Sequence, residues 1–482
     1  MRTDLRWLLL ALAASSPAAF ATTFTIDNVN NPGVGFNDVT PALPVGGNNG
    51  VTLGQQRLNV FQQAANQWAR LLNSNVTIRV QASMTALTCT ATSATLGQAG
   101  ALATVAAFPN APRALTSYVV AEANSIAGSD QDPANDDIQA QFNVSLDAGD
   151  PNCLGGEKWW YGIDPSVTPA ANTIPLLPVV FHELGHGLGF TSGTSSSTGA
   201  FFSPADPPVW ANYLFDTQTS KLWKAMTNAE RLTSTTNDPH LVWTGPNTNK
   251  QAGGYLKAGN ALIINSPAGI AGAQEVGIAQ FGPQPPKAGI TGNLVLVNDG
   301  AGASTTDACE ALTNGAAVSG KIALIDRGNC NFTVKTKNAQ NAGAIAVVIV
   351  NNQVDALRLP LGMSGTDATI TIPTYSITQA LGTTIESSGT VNVTLGYANI
   401  GVNQGCVRMF APNPVLPGSS VSHFHADATP DLLMEPALNT TIFDHVDLTL
   451  PLFDDIDWSV NKIDDAIFFD GFDPNPCQHV QP

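Results

Sequence analysis

The sequence predicts an α+β fold in which one domain is split by a second, β-rich domain inserted into it. Three observations predict this. The first part mixes a helical pattern with strand-like alternation. From about Thr244 charges thin out, Gly and Ala rise, and short apolar runs appear. From Asn403 the polar, His-bearing style of the first part returns. A chain of 482 residues is too long for one ordinary domain, and 43% hydrophobic against 12% charged residues is ample for a core.

In the first part, Gln55 to Leu72 repeats Leu58, Phe61, Ala65, Trp68 and Leu72 on one helical face. Val76 to Val80 alternates as a strand, and Ile138 to Leu146 places five apolar residues on one side. Leu115 to Ile126 reads as a second helix, and the aromatic stretch Phe201 to Arg231 as a packed helical insert. In the β-rich part, Ala261–Ile264, Leu294–Val297, Ile322–Ile325, Ala344–Val350 and Ile372–Ile377 read as buried strands, with Phe332–Gly343 as a helix.

The N-terminus adds a compartment. Arg2 and Arg6 precede the apolar run Trp7 to Ala14, and Ala19-Phe20-Ala21 supplies small residues. This is the pattern of a secretory signal peptide over residues 1–21, cut near Ala21, and it sends the chain out of the cell, in a bacterium by way of the periplasm. The run is too short to span a bilayer, and no later stretch is long and apolar enough. The formal net charge of −17 repels phosphates, which argues against nucleic acid partners and for solubility. Bound calcium would absorb some surplus carboxylates, but no EF-hand-like ligand run is present. Six cysteines fit three disulfides in an oxidising compartment. Nearness suggests Cys309–Cys330 and Cys89–Cys153, which leaves Cys406–Cys477.

The strongest chemical signal is His182-Glu183-Leu184-Gly185-His186. Two histidines four apart on a helix share one face, so both imidazoles reach one Zn²⁺. Glu183 between them is placed to take a proton from water and pass it to a leaving amine. Gly185 and Gly187 each cost the helix about 1 kcal/mol relative to Ala, which points to close packing or ligand approach. Gly189 is placed to end the helix, and Pro175 and Pro178 fit only near its start.

His182-Glu183-x-x-His186-x-x-Gly189 resembles the zincins of the metzincin clan. In most of them a third histidine follows the Gly by three residues, where this chain has Ser192. The leishmanolysin-like metzincins carry an insertion there. Their late motif is similar to Ser422-His423-Phe424, followed by Met434. The resemblance implies a metzincin-type catalytic domain with His182, His186 and His423 as zinc ligands. It also implies Met434 as an apolar floor under the metal and a closing helix within Leu448 to Trp458. His425 competes with His423, because a strand would point both to one face. Glu230 lacks the pattern of a third carboxylate ligand, and His240, His445 and His479 read as ordinary polar histidines.

Gly320-Lys321-Ile322-Ala323-Leu324-Ile325-Asp326-Arg327-Gly328-Asn329-Cys330-Asn331-Phe332, continued by Lys335, Asn338-Ala339, Gly343-Ala344 and Ile372-Pro373, resembles the protease-associated (PA) domain. Such domains carry no catalytic machinery. The resemblance implies binding of substrate or a partner protein, with a passive spacer as the equal alternative. The expected organisation is signal peptide 1–21, catalytic N-terminal part 22–243, PA domain 244–400, catalytic C-terminal part 401–465 and tail 466–482. The tail stretch Asp465 to Phe472 looks like tails of exported Gram-negative bacterial proteins.

Together these readings lead to a secreted zinc metalloendopeptidase acting on proteins or peptides, with Glu183 as general base. The alternative is a secreted binding or adhesion protein with an inactive zincin-like site.

Overall fold

The computed structural model describes residues 22–300, 302–353, 359–426, 428–437, 447–461 and 477. The expected signal peptide, the expected tail apart from Cys477, and His445 and His479 lie outside the described residues.

The first unit is built on a long amphipathic helix, Leu53–Leu71, whose N-cap Thr52 accepts from the Gln55 amide. Its apolar face (Val60, Phe61, Ala64, Trp68, Leu71) packs over a four-stranded sheet. The strand order is Phe24–Asn28, Ile78–Thr85, Ile138–Asn143, Gly97–Ala101. The first three run parallel, and Gly97–Ala101 pairs antiparallel to Ile138–Asn143 and forms the edge. The helix Leu176–Gly187 lies against both the long helix and this edge strand.

Two expected helices differ. Leu115 adopts a positive φ of 50° and Ser117–Val119 pairs with Thr104–Ala106, so the helix is confined to Val120–Ala127. The stretch Phe201 to Arg231 is mostly not helical. Pro204, Pro207 and Pro208 break its start, and Leu214–Asp216 and Lys221–Leu222 become strands. Its tryptophans do pack inward, with Trp210 and Trp243 rings 4.5 Å apart.

Those strands belong to a five-stranded sheet that draws on both sides of the insertion. Leu241–Trp243 pairs with Cys406–Arg408, across a gap of chain that holds the β-rich unit. One continuous core therefore contains Phe36 to Leu256 and Val407 to Trp458. The helix Thr449–Asp455 closes it, and the Asp455 carboxylate accepts from Trp243 Nε1 at 3.0 Å and Thr248 Oγ1 at 2.6 Å.

The inserted unit is an eight-stranded sheet, entered by Gly259–Ser266 and left by the antiparallel Asn392–Ala398. Ile290–Leu296, Ile322–Asp326, Ala346–Val350 and Thr374–Ile377 form its parallel centre. Alternate residues of these strands feed two separate cores, Leu324 and Val348 on one face and Ile325 and Ile349 on the other. The helix Pro246–Tyr255 packs with the first unit through Ala252 and Leu256, and the eight-stranded sheet begins at Gly259. The disulfides are Cys89–Cys153, Cys309–Cys330 and Cys406–Cys477.

Candidate metal centre

Pro175 caps the helix Leu176–Gly187 and Pro178 falls in its first turn, where no amide partner is required. Leu177, Val180, Phe181 and Leu184 face the core, which turns His182, Glu183 and His186 toward the open side. The two glycines have steric causes. A Cβ on Gly185 would lie 2.8 Å from Met434 Sδ, and one on Gly187 would lie 2.4 Å from Ile138 Cγ2. Met434 thus packs directly against the turn between the two histidines. Gly189 ends the helix at a φ of +122°, and indole N–H groups of Trp68 and Trp458 donate to the Phe181 and Leu188 carbonyls.

His423 is brought to the same place from the far side of the insertion. The Nε2 atoms of His182, His186 and His423 are mutually 3.2, 3.1 and 3.2 Å apart. Each Nδ1 faces a backbone carbonyl: Leu433 at 2.7 Å, Phe190 at 2.7 Å and Ser419 at 2.8 Å. A carbonyl only accepts, so each Nδ1 carries the proton and each neutral ring turns its Nε2 lone pair inward. Three lone pairs at this separation repel one another unless a cation lies between them. Zinc bound at about 2.0–2.1 Å from each imidazole nitrogen needs nitrogens a little over 3 Å apart, so the donor set fits that ion. Burial pushes the His182 imidazole down to about 4 and that of His186 to about 3, with the neighbouring His182 adding to the latter. Burial also holds His423 well below its ordinary value. The rings stay neutral, as ligands must be.

Glu183 lies beside the edge strand, where a Cβ on Gly97 would come within 3.0 Å of its Cγ. Burial pushes its carboxyl up to about 8, opposed by a hydrogen bond from the Ala99 amide. A divalent cation between the neighbouring histidines would oppose that rise and favour the carboxylate form.

His425 goes elsewhere. Val421 has a positive φ of 64° and the following residues form turns around a single bridge at Phe424, so 423 and 425 do not share a strand face. The His425 ring meets Arg408 Nη2 at 2.8 Å and Asp238 at 3.4 Å, and it also contacts Glu275 of the inserted unit. His240 bonds Thr217, and Glu230 pairs with Lys221 and caps its own helix. Sequence reasoning missed the carbonyls that orient the rings and the Ala99 amide, because backbone groups carry no side-chain signal.

Residues 290–385 match the PA domain family. Signal peptide peptidase-like 2 of Arabidopsis thaliana is 37% identical over 84 residues, 17% of this chain and 15% of that protein. Human ER degradation-enhancing alpha-mannosidase-like protein 3 is 43% identical over 76 residues, 16% of this chain and 8% of that protein. Among solved structures, a zinc aminopeptidase from Bacillus subtilis shares 24% identity over 32% of this chain and 36% of that one, with a TM-score of 0.22. A score that low carries no weight here. The chain thus spans under a fifth of these two curated relatives' own length. Residues 290–385, the centre of the inserted eight-stranded unit, are a PA domain.

Proposed function

We propose that the chain is a secreted zinc metalloendopeptidase of metzincin type, with His182, His186 and His423 as metal ligands and Glu183 as general base. The observation that carries this reading is the convergence of three Nε2 atoms within 3.2 Å, each ring locked by a carbonyl on its Nδ1.

When bound, a zinc ion supplies Lewis-acid polarisation of a carbonyl and brings the pKa of a water down to about 7. Glu183 takes a proton from the attacking water and returns it to the leaving amine. The Ala99 amide holds the carboxylate in place for both transfers. Among the described residues the edge strand Gly97–Ala101 pairs on one side only, with Ile138–Asn143. Its free rim can take an extended peptide as a further strand and lay the scissile bond beside Glu183. That geometry suits cleavage within a chain, which is why an endopeptidase is proposed. Met434, wholly buried against Gly185, keeps water from under the ligand helix. Three disulfides suit an oxidising, extracellular destination.

Casein hydrolysis by purified protein, with and without a zinc chelator, tests the reading. Glu183→Ala should keep zinc and lose at least about 10²-fold in rate. Full activity in that variant overturns the assignment.

A further inference from the structure

Among the described residues, three clusters can each present one ligand atom per residue within 4.8 Å of the others: His182–His186–His423, Asp238–Glu275–His425 and Asp299–Asp307–Glu310. The first is the site above. The second already holds a cation, since the Arg408 guanidinium lies 2.6 Å from Asp238 and 2.8 Å from His425. The third lies in the inserted unit, on the segment between the strands Ile290–Leu296 and Ile322–Asp326.

We propose that Asp299, Asp307 and Glu310 form a calcium-binding site in the inserted unit, independent of the three-histidine centre. Asp299 is only 3% exposed and Asp307 only 1%, yet carboxylates are rarely buried without a counter-charge. The Asp299 Oδ1 atom is fully buried and has no hydrogen-bond partner among the described residues. A buried acceptor in that state costs stability unless a cation or water meets it.

The neighbouring Lys335 ammonium attracts Asp307, Asp299 and Glu310 across space but gives none of their carboxylates a hydrogen bond. Lys335 Nζ donates to the Asp307 backbone carbonyl and reaches Cys309 Sγ at 3.5 Å, so its hydrogen bonds go to the main chain and the disulfide. A side-chain hydrogen bond joins Asp307 to Asp299, which two ionised carboxylates cannot make, so a proton is shared there and a divalent ion would displace it.

Chemistry selects the ion. The donors are all hard carboxylate oxygens, with no nitrogen or thiolate, which favours calcium over zinc. Calcium takes oxygens at about 2.3–2.6 Å, so two of its ligands lie at most about 5 Å apart, as these do. The frame is also fixed in advance. Asp307 accepts from the Cys309 amide at 3.0 Å and from Asn329 Nδ2, one partner belonging to the Cys309–Cys330 disulfide and the other preceding its second cysteine. Glu310 closes the cluster from the exposed side, over Gly302.

The test uses the full chain, stripped by chelation and reloaded with zinc alone. Calcium titrated by calorimetry should bind at one equivalent beyond the zinc, and millimolar calcium should raise the melting temperature by several degrees. Asp299→Asn and, separately, the exposed Glu310→Gln should each weaken calcium binding at least about tenfold. Both should fold in calcium-free buffer with a melting temperature at or above that of the stripped parent, because each removes a like charge. Zinc content should not change. Magnesium titrated in place of calcium should give a smaller shift. No calcium-dependent heat or shift in the parent overturns the proposal. So does an unchanged calcium response in both variants, or a magnesium response equal to that of calcium.

Discussion

The Ser192 amide donates to Ser422 Oγ at 3.0 Å, although 230 residues separate them. Between the two the chain forms the five-stranded sheet, builds the whole β-rich unit from Gly259, and returns beside the same point one residue before His423. The return is pinned on both sides: Phe410 donates to the His423 carbonyl at 3.0 Å and Phe424 to that of Met434 at 2.8 Å.

Ser422→Ala should loosen this junction. It leaves the Ser192 amide without its acceptor, at a cost of about 1–3 kcal/mol. Because Ser422 adjoins a proposed ligand, zinc affinity should also fall, by about 10-fold or more. Competition with a chromogenic chelator measures it, and unchanged affinity would show that the seam does not position His423.

Gly187→Ala should destabilise the first unit by about 1–3 kcal/mol, since the new methyl meets Ile138 Cγ2 at 2.4 Å. The gain in helix propensity, about 1 kcal/mol, is too small to offset it. Urea unfolding of Gly187→Ala and of the pair with Ile138→Ala should show non-additive losses.

Glu122 makes stability depend on pH. The side chain is fully buried, neither carboxyl oxygen has a partner among the described residues, and burial, with Asp457 adding, holds its pKa well above the ordinary value. The folded state therefore keeps a proton that the unfolded state releases. Stability is fullest below the ordinary carboxyl range and falls as pH rises above it. Glu122→Gln should flatten that fall and raise the melting temperature at neutral pH, with no gain in acid. An equal effect at both pH values would mean that titration is not the cause.

Arg408 is nearly buried and joins Asp238, His425 and the Ile400 carbonyl. Arg408→Met should cost about 3–5 kcal/mol by leaving buried partners uncompensated. Hydrogen exchange should report it as faster opening of residues 406–425, where the Arg408 carbonyl receives the His425 amide.

Much of this was readable in the sequence because it rests on local periodicity. The helical spacing of His182 and His186, the face of Leu53–Leu71 and the buried strands around Ile322–Asp326 all follow from residue pattern. His423 was accessible only through family resemblance, since no local rule links residues 237 positions apart. Phe201 to Arg231 misled because an apolar aromatic run packs equally well as turns and short strands, and three prolines decided for the latter. The Asp299 cluster gave no signal because its spacing follows no helix, strand or EF-hand pattern; only folding brings it together.

Zinc content of purified protein by mass spectrometry, in the parent and in His423→Ala and His425→Ala, tests the central claim most directly. A tightly held zinc in the parent and in His425→Ala, lost from His423→Ala, is the predicted result. Zinc retained in His423→Ala, or absent from the parent after growth with zinc, would contradict it.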